Sequence, residues 1–248
     1  MGPVLEAASL TKRFGAVAVI DELSFELAQG EALGIVGPNG AGKTTTLNML
    51  AGDFPPSSGR VWFGGRDVTA LPAHRRCRLG LGRTAQVPRP FEGLTVFENV
   101  VVGATFGGRR RGAAATDAAL RAMATAGMVD QANVRAGALT LLDRKRLELA
   151  RALATDPQVL LLDEIAGGLT EGEVLELVDT IRGIHHRGVS IVWIEHIVHA
   201  LLRVVDRILA MDYGRKLIEG DPHEVMASDA VRDVYLGVDE PEFVEGMS

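Results

Sequence analysis

Residues 37–44 read GPNGAGKT, placing Gly37, Gly42, Lys43 and Thr44 at the G-x-x-x-x-G-K-[ST] spacing of a phosphate-cradling loop. Glycine at 37, 40 and 42 lets the backbone turn through conformations closed to other residues, so that successive N–H groups converge on phosphate oxygens. A side chain at these positions is expected to block that approach. Lys43 supplies a compact positive charge for the β- and γ-phosphates. The Thr44 hydroxyl is placed to ligate Mg²⁺, and the helix that follows turns its positive end inward. Pro38, Asn39, Gly40, Ala41 and Thr45 complete the expected cradle for a nucleoside triphosphate.

Triphosphate chemistry needs carboxylates and a group that senses the terminal phosphate. The apolar run 159–162 ends in Asp163 and Glu164, so two carboxylates leave a buried strand at its C-terminal edge, where open α/β sheets bind ligands. Asp163 is expected to hold Mg²⁺ and Glu164 to activate the attacking water as general base. A second apolar run, 189–194, delivers Glu195 and His196 to the same edge, with His196 in reach of the γ-phosphate. The other histidines, His74, His185, His186, His199 and His223, read as ordinary surface or core residues. Gln86 closes a short strand over 81–85 and is placed as a third Mg²⁺ and γ-phosphate contact.

These groups require a scaffold that alternates strands and helices. Strands are expected over 4–10, 20–27, 32–36, 60–63, 159–162, 189–194 and 207–211, with a turn at Lys12, Arg13, Phe14 and Gly15. Helices are expected over 44–50, 113–128, 144–153 and 171–186. The pattern predicts an α/β fold of the P-loop NTPase class: a mainly parallel core sheet, a flanking antiparallel β-subdomain and an inserted helical subdomain. Residues 1–87 and 154–238 are assigned to the nucleotide-binding core with its β-subdomain, 88–153 to the helical insertion, and 239–248 to an acidic tail. Gly107 and the run to Gly112, with its Arg109–Arg110–Arg111 triplet, read as a solvated loop.

Composition narrows the class. The chain has 248 residues, enough for one large domain, and a net charge of −6, which gives no basic footprint for nucleic acid. With Cys77 alone, no internal disulfide can form. No apolar run approaches the ~20 residues that span a bilayer, and no secretory signal is visible, so the chain is expected at the cytoplasmic face of the plasma (inner) membrane through partners.

In order and over nearly the whole sequence, GPNGAGKT, Gln86, LLLDE at 160–164 and His196 resemble the ATP-binding subunit of ABC transporters. The segments PFEGLTVFENV from Pro90, RLELARALATDPQVLLLDE from Arg146 and GDPHEVM from Gly220 look like the branched-chain amino-acid importer ATPases. The resemblance implies ATP with Mg²⁺ and an ATPase activity coupled to import. It implies a head-to-tail pair of such subunits, each phosphate loop facing the other's signature segment. It also implies membrane permeases docked on the region from Gln86 to Val100, around Phe91, Leu94, Val96 and Phe97, and an external solute-binding protein. By family position Phe14 stacks on adenine.

The signature departs from the family's L-S-G-G-Q or L-S-Y-G-Q: here it reads Leu139, Thr140, Leu141, Leu142, Asp143. Leu142 is expected to crowd a partner's γ-phosphate and Asp143 to repel it. Thr140 and Asp143 also match a capping box, by which the segment satisfies its own helix. Ile165 stands where the family has proline, and Thr170 where Asp or Asn is common. These departures favour a heterodimer with a related, intact ATPase. Competing classes are a non-hydrolysing, nucleotide-gated scaffold and a soluble ABC protein uncoupled from transport.

Overall fold

The computed structural model describes residues 2–236. The expected acidic tail, 239–248, lies outside the described residues. Strands β1 (Leu5–Phe14) and β2 (Val17–Leu27) form an antiparallel hairpin, and β3 (Ala32–Val36) leads into helix α1 (Lys43–Ala51). Strands β4 (Ser58–Phe63) and β5 (Arg66–Asp67), helix α2 (Ala73–Cys77) and strand β6 (Leu81–Arg83) follow. Next come the helices α3 (Val96–Val102), α4 (Ala113–Thr125) and α5 (Leu141–Leu153), with a π-helical turn at Gly103–Gly107 continuing α3. The chain then alternates: β7 (Val159–Asp163), α6 (Glu171–His185), β8 (Ser190–Ile194), α7 (Val198–Leu201) and β9 (Arg207–Asp212). It closes with β10 (Arg215–Gly220), α8 (Pro222–Ala227) and α9 (Asp229–Leu236).

Two sheets result. The larger has the order β10-β9-β3-β8-β7-β6 and is parallel except for the β9–β10 hairpin; the smaller, β2-β1-β4-β5, is antiparallel throughout. Strands β3, β7 and β8 are buried along their whole length, as the unbroken apolar runs require of a sheet covered on both faces. One apolar cluster joins the antiparallel sheet and α1 to one face of the parallel sheet. A second packs α5 and α6 on the other face. A third holds α3, α4 and the inner side of α5 together, built largely from alanines that let the helices approach closely.

Several boundaries differ from expectation. Lys12, Arg13 and Phe14 belong to β1, and the turn falls at Gly15 and Ala16. The Lys12 ammonium is accommodated by donating to the Pro55 carbonyl at 2.7 Å. Helix α4 stops at Thr125, before the Gly127 turn, and α5 starts three residues earlier than its polar periodicity suggests because Thr140 caps it. Helices α2, α3, α7, α8 and α9 and strands β5 and β10 add to the expected set. Among the described residues no helix is long and apolar enough to cross a membrane.

Arg76 fixes α1 from below. Its side chain is buried, and its guanidinium donates to the carbonyls of Met49 and Leu50 at 2.7 and 2.8 Å and to Leu71 and Thr69 at 2.9 Å. Burial holds this guanidinium down to about 10. A cation thus closes the negative end of the helix whose other end begins at Lys43.

Candidate active site

The loop between β3 and α1 is shaped by protein contacts as much as by any ligand. Gly42 has φ 96°, and a Cβ there would lie 2.4 Å from Ile20 Cδ1 and 2.9 Å from the Val19 carbonyl. Glycine at 42 thus also clears strand β2, which packs on the loop from outside. Gly40, with φ 85°, meets nothing within 4 Å, so its freedom serves the turn itself.

The helix end behind the loop is open. No side chain caps the N-terminus of α1 and no acidic residue lies in its first turn. Lys43 is 5 % exposed and its ammonium donates to the carbonyls of Gly37 at 2.6 Å and Pro38 at 3.1 Å, so the cation is folded back on its own loop. Burial lowers its pKa, and the Glu164 and Asp163 charges oppose that shift. Thr44 and Thr45 are half-buried on the first turn, and Asn39 is exposed at the tip.

Parallel pairing brings the acids to the same edge. Asp163 ends β7 opposite Ile194 of β8 and is 1 % exposed. Its Oδ2 accepts from Arg83 Nη2 at 3.0 Å, and Arg83 also binds Asp53. Its Oδ1 is buried with no hydrogen-bond partner. Burial pushes the Asp163 carboxyl above its ordinary range, and the Arg83 guanidinium holds it down. A buried, unpaired carboxylate oxygen near an ammonium and a threonine-bearing helix end fits a hard, oxygen-seeking cation such as Mg²⁺.

Glu164 leaves the strand with φ 45°, a backbone conformation rare for a side-chain-bearing residue and typical of functional sites. Its Oε1 lies 2.7 Å from His196 Nε2, and its Oε2 accepts from the Gln86 amide at 2.6 Å. Gln86 sits past the end of β6, three residues beyond Arg83. The sequence-selected Asp163, Glu164, His196 and Gln86 thus converge from three segments.

Phe14 is half exposed, in edge contact with Phe54 at 5.8 Å, and the Lys12 ammonium lies 5.2 Å from its ring centre. Its hairpin is the one that packs on Gly42 through Val19 and Ile20. The expected permease surface is mixed: Phe91 is 47 % exposed, Leu94 and Phe97 are half-buried and Val96 is fully buried in the helical cluster. Val96 is therefore core, not surface. Asn99, missed in the sequence, pins this segment by accepting from Phe91 N–H at 2.8 Å and donating to the carbonyls of Phe91 and Thr95.

In the signature segment, Thr140 Oγ1 accepts from Asp143 N–H at 3.2 Å and donates to the Asp143 carboxylate at 2.9 Å. The expected reciprocal box is thus half formed, because the carboxylate takes the hydroxyl proton instead of the Thr140 backbone N–H. Leu142 is buried in the core, so it does not crowd a neighbour. The exposed leucine is Leu141, whose Cδ2 would lie 3.2 Å from a Cβ at Gly168.

Two residues of the site were not assigned roles from the sequence. Arg83 holds Asp163, and Glu195, 2 % exposed, accepts from the backbone N–H groups of Ala166 and His196. Glu195 directly precedes His196 and Arg83 lies three residues before Gln86, but only strand register shows what they reach.

The family model described as ABC transporter matches residues 20–167. The high-affinity branched-chain amino acid transport ATP-binding protein LivG of Salmonella typhimurium is 35% identical over 95% of this chain and 98% of its own length. The lipopolysaccharide export system ATP-binding protein LptB of Acidithiobacillus ferridurans is 34% identical over 96% of this chain and 98% of its own. Among solved structures, the ADP conformation of MJ1267, an ATP-binding cassette of an ABC transporter, superposes with a TM-score of 0.88 at 25% identity, covering 96% of this chain and 100% of that one. With the phosphate loop, the paired acids and the fold agreeing, the chain belongs to the ABC transporter family as one of its ATPases.

Proposed function

We propose that this chain is the ATP-hydrolysing motor subunit of an importer for branched-chain amino acids or similar small solutes, bound at the cytoplasmic face of the inner membrane. The observation that carries the motor reading is the Glu164 carboxylate held between His196 and Gln86, beside a buried Asp163 and an open helix end. The full-length similarity to LivG supports import. The similarity to LptB keeps export as the competing direction.

In this reading, phosphates occupy the N–H groups of the loop 37–45 and draw Lys43 off its loop carbonyls. Thr44, Asp163 and Gln86 would hold Mg²⁺, which would supply neutralisation of phosphate charge when bound. Glu164 accepts a proton from the attacking water, and His196 orients that carboxylate and contacts the γ-phosphate. Phe14 offers its exposed ring to adenine. Residues 1–87 and 154–238 act as the nucleotide core and 88–153 as the signature subdomain.

The chain pairs head to tail with a second ABC ATPase, a different protein with an intact signature, because Thr140 and Asp143 bond each other at the start of their own helix. Permeases dock on the region from Gln86 to Val100, and an external binding protein selects the solute. Reconstituting the chain with its neighbouring permease, partner ATPase and binding protein in vesicles, and following labelled leucine, tests this. Glu164→Gln should abolish turnover and uptake while retaining ATP. Retained turnover sinks the catalytic assignment, and efflux in place of uptake sinks the import reading.

A further inference from the structure

We propose that Glu195 is a positioning residue of the hydrolytic site, whose buried carboxylate ties together the two segments that aim Glu164 and His196 at each other. The inference rests on the catalytic reading of Glu164 and His196 given above.

Glu195 follows β8 at the edge of the sheet, where a carboxylate would ordinarily turn to water. Instead it is 2 % exposed. Its Oε2 accepts from Ala166 N–H at 3.0 Å, and its Oε1 accepts from His196 N–H at 3.1 Å. Ala166 lies two residues beyond Glu164, and the ring of His196 lies 2.7 Å from the Glu164 carboxylate. The links close a ring: Glu164 through Ile165 to Ala166, across to Glu195, along the chain to His196, and back to Glu164. In that ring Glu164 holds φ 45°, a strained conformation that persists only where surrounding contacts determine it. The bond from Ala166 is such a contact.

Burying a carboxylate is costly unless hydrogen bonds and charge compensate it. Backbone N–H groups provide the first. Burial nonetheless raises the Glu195 pKa against those N–H groups and the His196 charge, and the Glu195 charge in turn opposes the burial-lowered pKa of Lys145 of α5, 3 % exposed. Lys145 stands two residues beyond Asp143, on the helix that carries the signature segment. Leu142, Leu149, Ile165 and Ala166 share one apolar cluster, so packing joins α5 to the segment that follows Glu164. Among the described residues no hydrogen bond or ion pair joins the Glu195 carboxylate to Lys43, Thr44 or Asp163; its hydrogen bonds go to Ala166 and His196. Its effect should therefore fall on the rate of hydrolysis and spare affinity.

The test uses the full chain assembled with its partner ATPase and permeases, comparing Glu195→Ala and the isosteric Glu195→Gln with the parent. Turnover, the dissociation constant for Mg-ATP and hydrogen exchange of the backbone over 164–168 are measured together. The expected result for both variants is at least a tenfold loss in kcat, Mg-ATP affinity within twofold of the parent, and faster exchange of the Ala166 amide. Should the alanine variant fail to fold, the glutamine variant carries the same readout, because it keeps the volume and one acceptor but presents an N–H to one backbone donor. Unchanged kcat, or kcat and affinity falling in parallel, overturns the proposal. Glu164→Gln in the same preparation separates the two claims. If it stays active, the catalytic reading itself has failed. If it is inactive while the Glu195 variants run at full rate, only the positioning role has failed.

Discussion

Helix α1 starts behind Gly42 with no side-chain cap and no acid in its first turn, whereas α5 starts behind Thr140, whose hydroxyl bonds both the N–H and the carboxylate of Asp143. The two ends carry the same partial positive charge and the same unsatisfied N–H groups. At α1 these are left for a ligand, and Lys43 adds to them. At α5 the chain supplies its own anion. Helices α3 and α6 show the closed arrangement in full, with reciprocal boxes at Thr95–Glu98 and Thr170–Glu173. Of these four helix starts, only that of α1 lacks a side-chain cap.

The open end should be sensitive to loss of its cation, and the closed end should be indifferent. Lys43→Ala removes the ammonium nearest the loop. The assembled enzyme should lose about a thousandfold in turnover, roughly 4 kcal/mol of transition-state stabilisation. Asp143→Ala in the same chain should leave that chain's own Mg-ATP affinity within twofold by calorimetry. Comparable losses from both would show that the ends are not divided in this way.

Opening the closed end is the next largest effect. Leu141→Gly with Asp143→Gln removes the exposed leucine beside Gly168 and the carboxylate that occupies the helix end, leaving the buried Leu142 in place. Turnover of the chain alone, where both sites would use this signature, should rise about tenfold, which corresponds to ~1.4 kcal/mol. A chain that is already fully active alone, or one that gains nothing, argues that Thr140 to Asp143 were never the obstacle.

What the sequence disclosed of this site depended on how local the signal was. GPNGAGKT is contiguous, and the acids Asp163 and Glu164 and the imidazole of His196 each stand at the end of a mostly apolar run that reads as a buried strand, so their convergence was legible. Arg83 and Glu195 were not, although Glu195 precedes His196 directly and Arg83 lies three residues before Gln86. Arg83 reaches Asp163 only because β6 pairs in parallel with β7, and Glu195 reaches Ala166 only because β7 pairs with β8. Helix α3 was hidden by its valines, which favour strands, although Thr95 and Glu98 carried its start signal. The misplaced turn at Lys12 has a similar cause: a basic pair before glycine looks solvated, while in the fold Lys12 lies against the rings of Phe14 and Phe54. Leu142 was read as an obstacle from motif position alone. Which leucine of a helical pair faces the core depends on where α5 begins, and Thr140 decides that.

The smallest effect isolates the cap itself. Thr140→Ala deletes the hydroxyl that accepts from Asp143 N–H and frees the Asp143 carboxylate it binds. Loss of such a cap costs about 1 kcal/mol, which in a domain of this size lowers the melting temperature by roughly 2–4 °C. Because the bond is internal to α5, neither this chain's affinity for Mg-ATP nor turnover of the transporter assembled with its partner ATPase should change by more than twofold. The opposite pattern, an unmoved melting temperature with a tenfold fall in assembled turnover, would mean that the Thr140 hydroxyl serves the nucleotide held by the partner. The α5 end would then be open in use despite being closed in the isolated subunit, and the heterodimer would no longer follow from it.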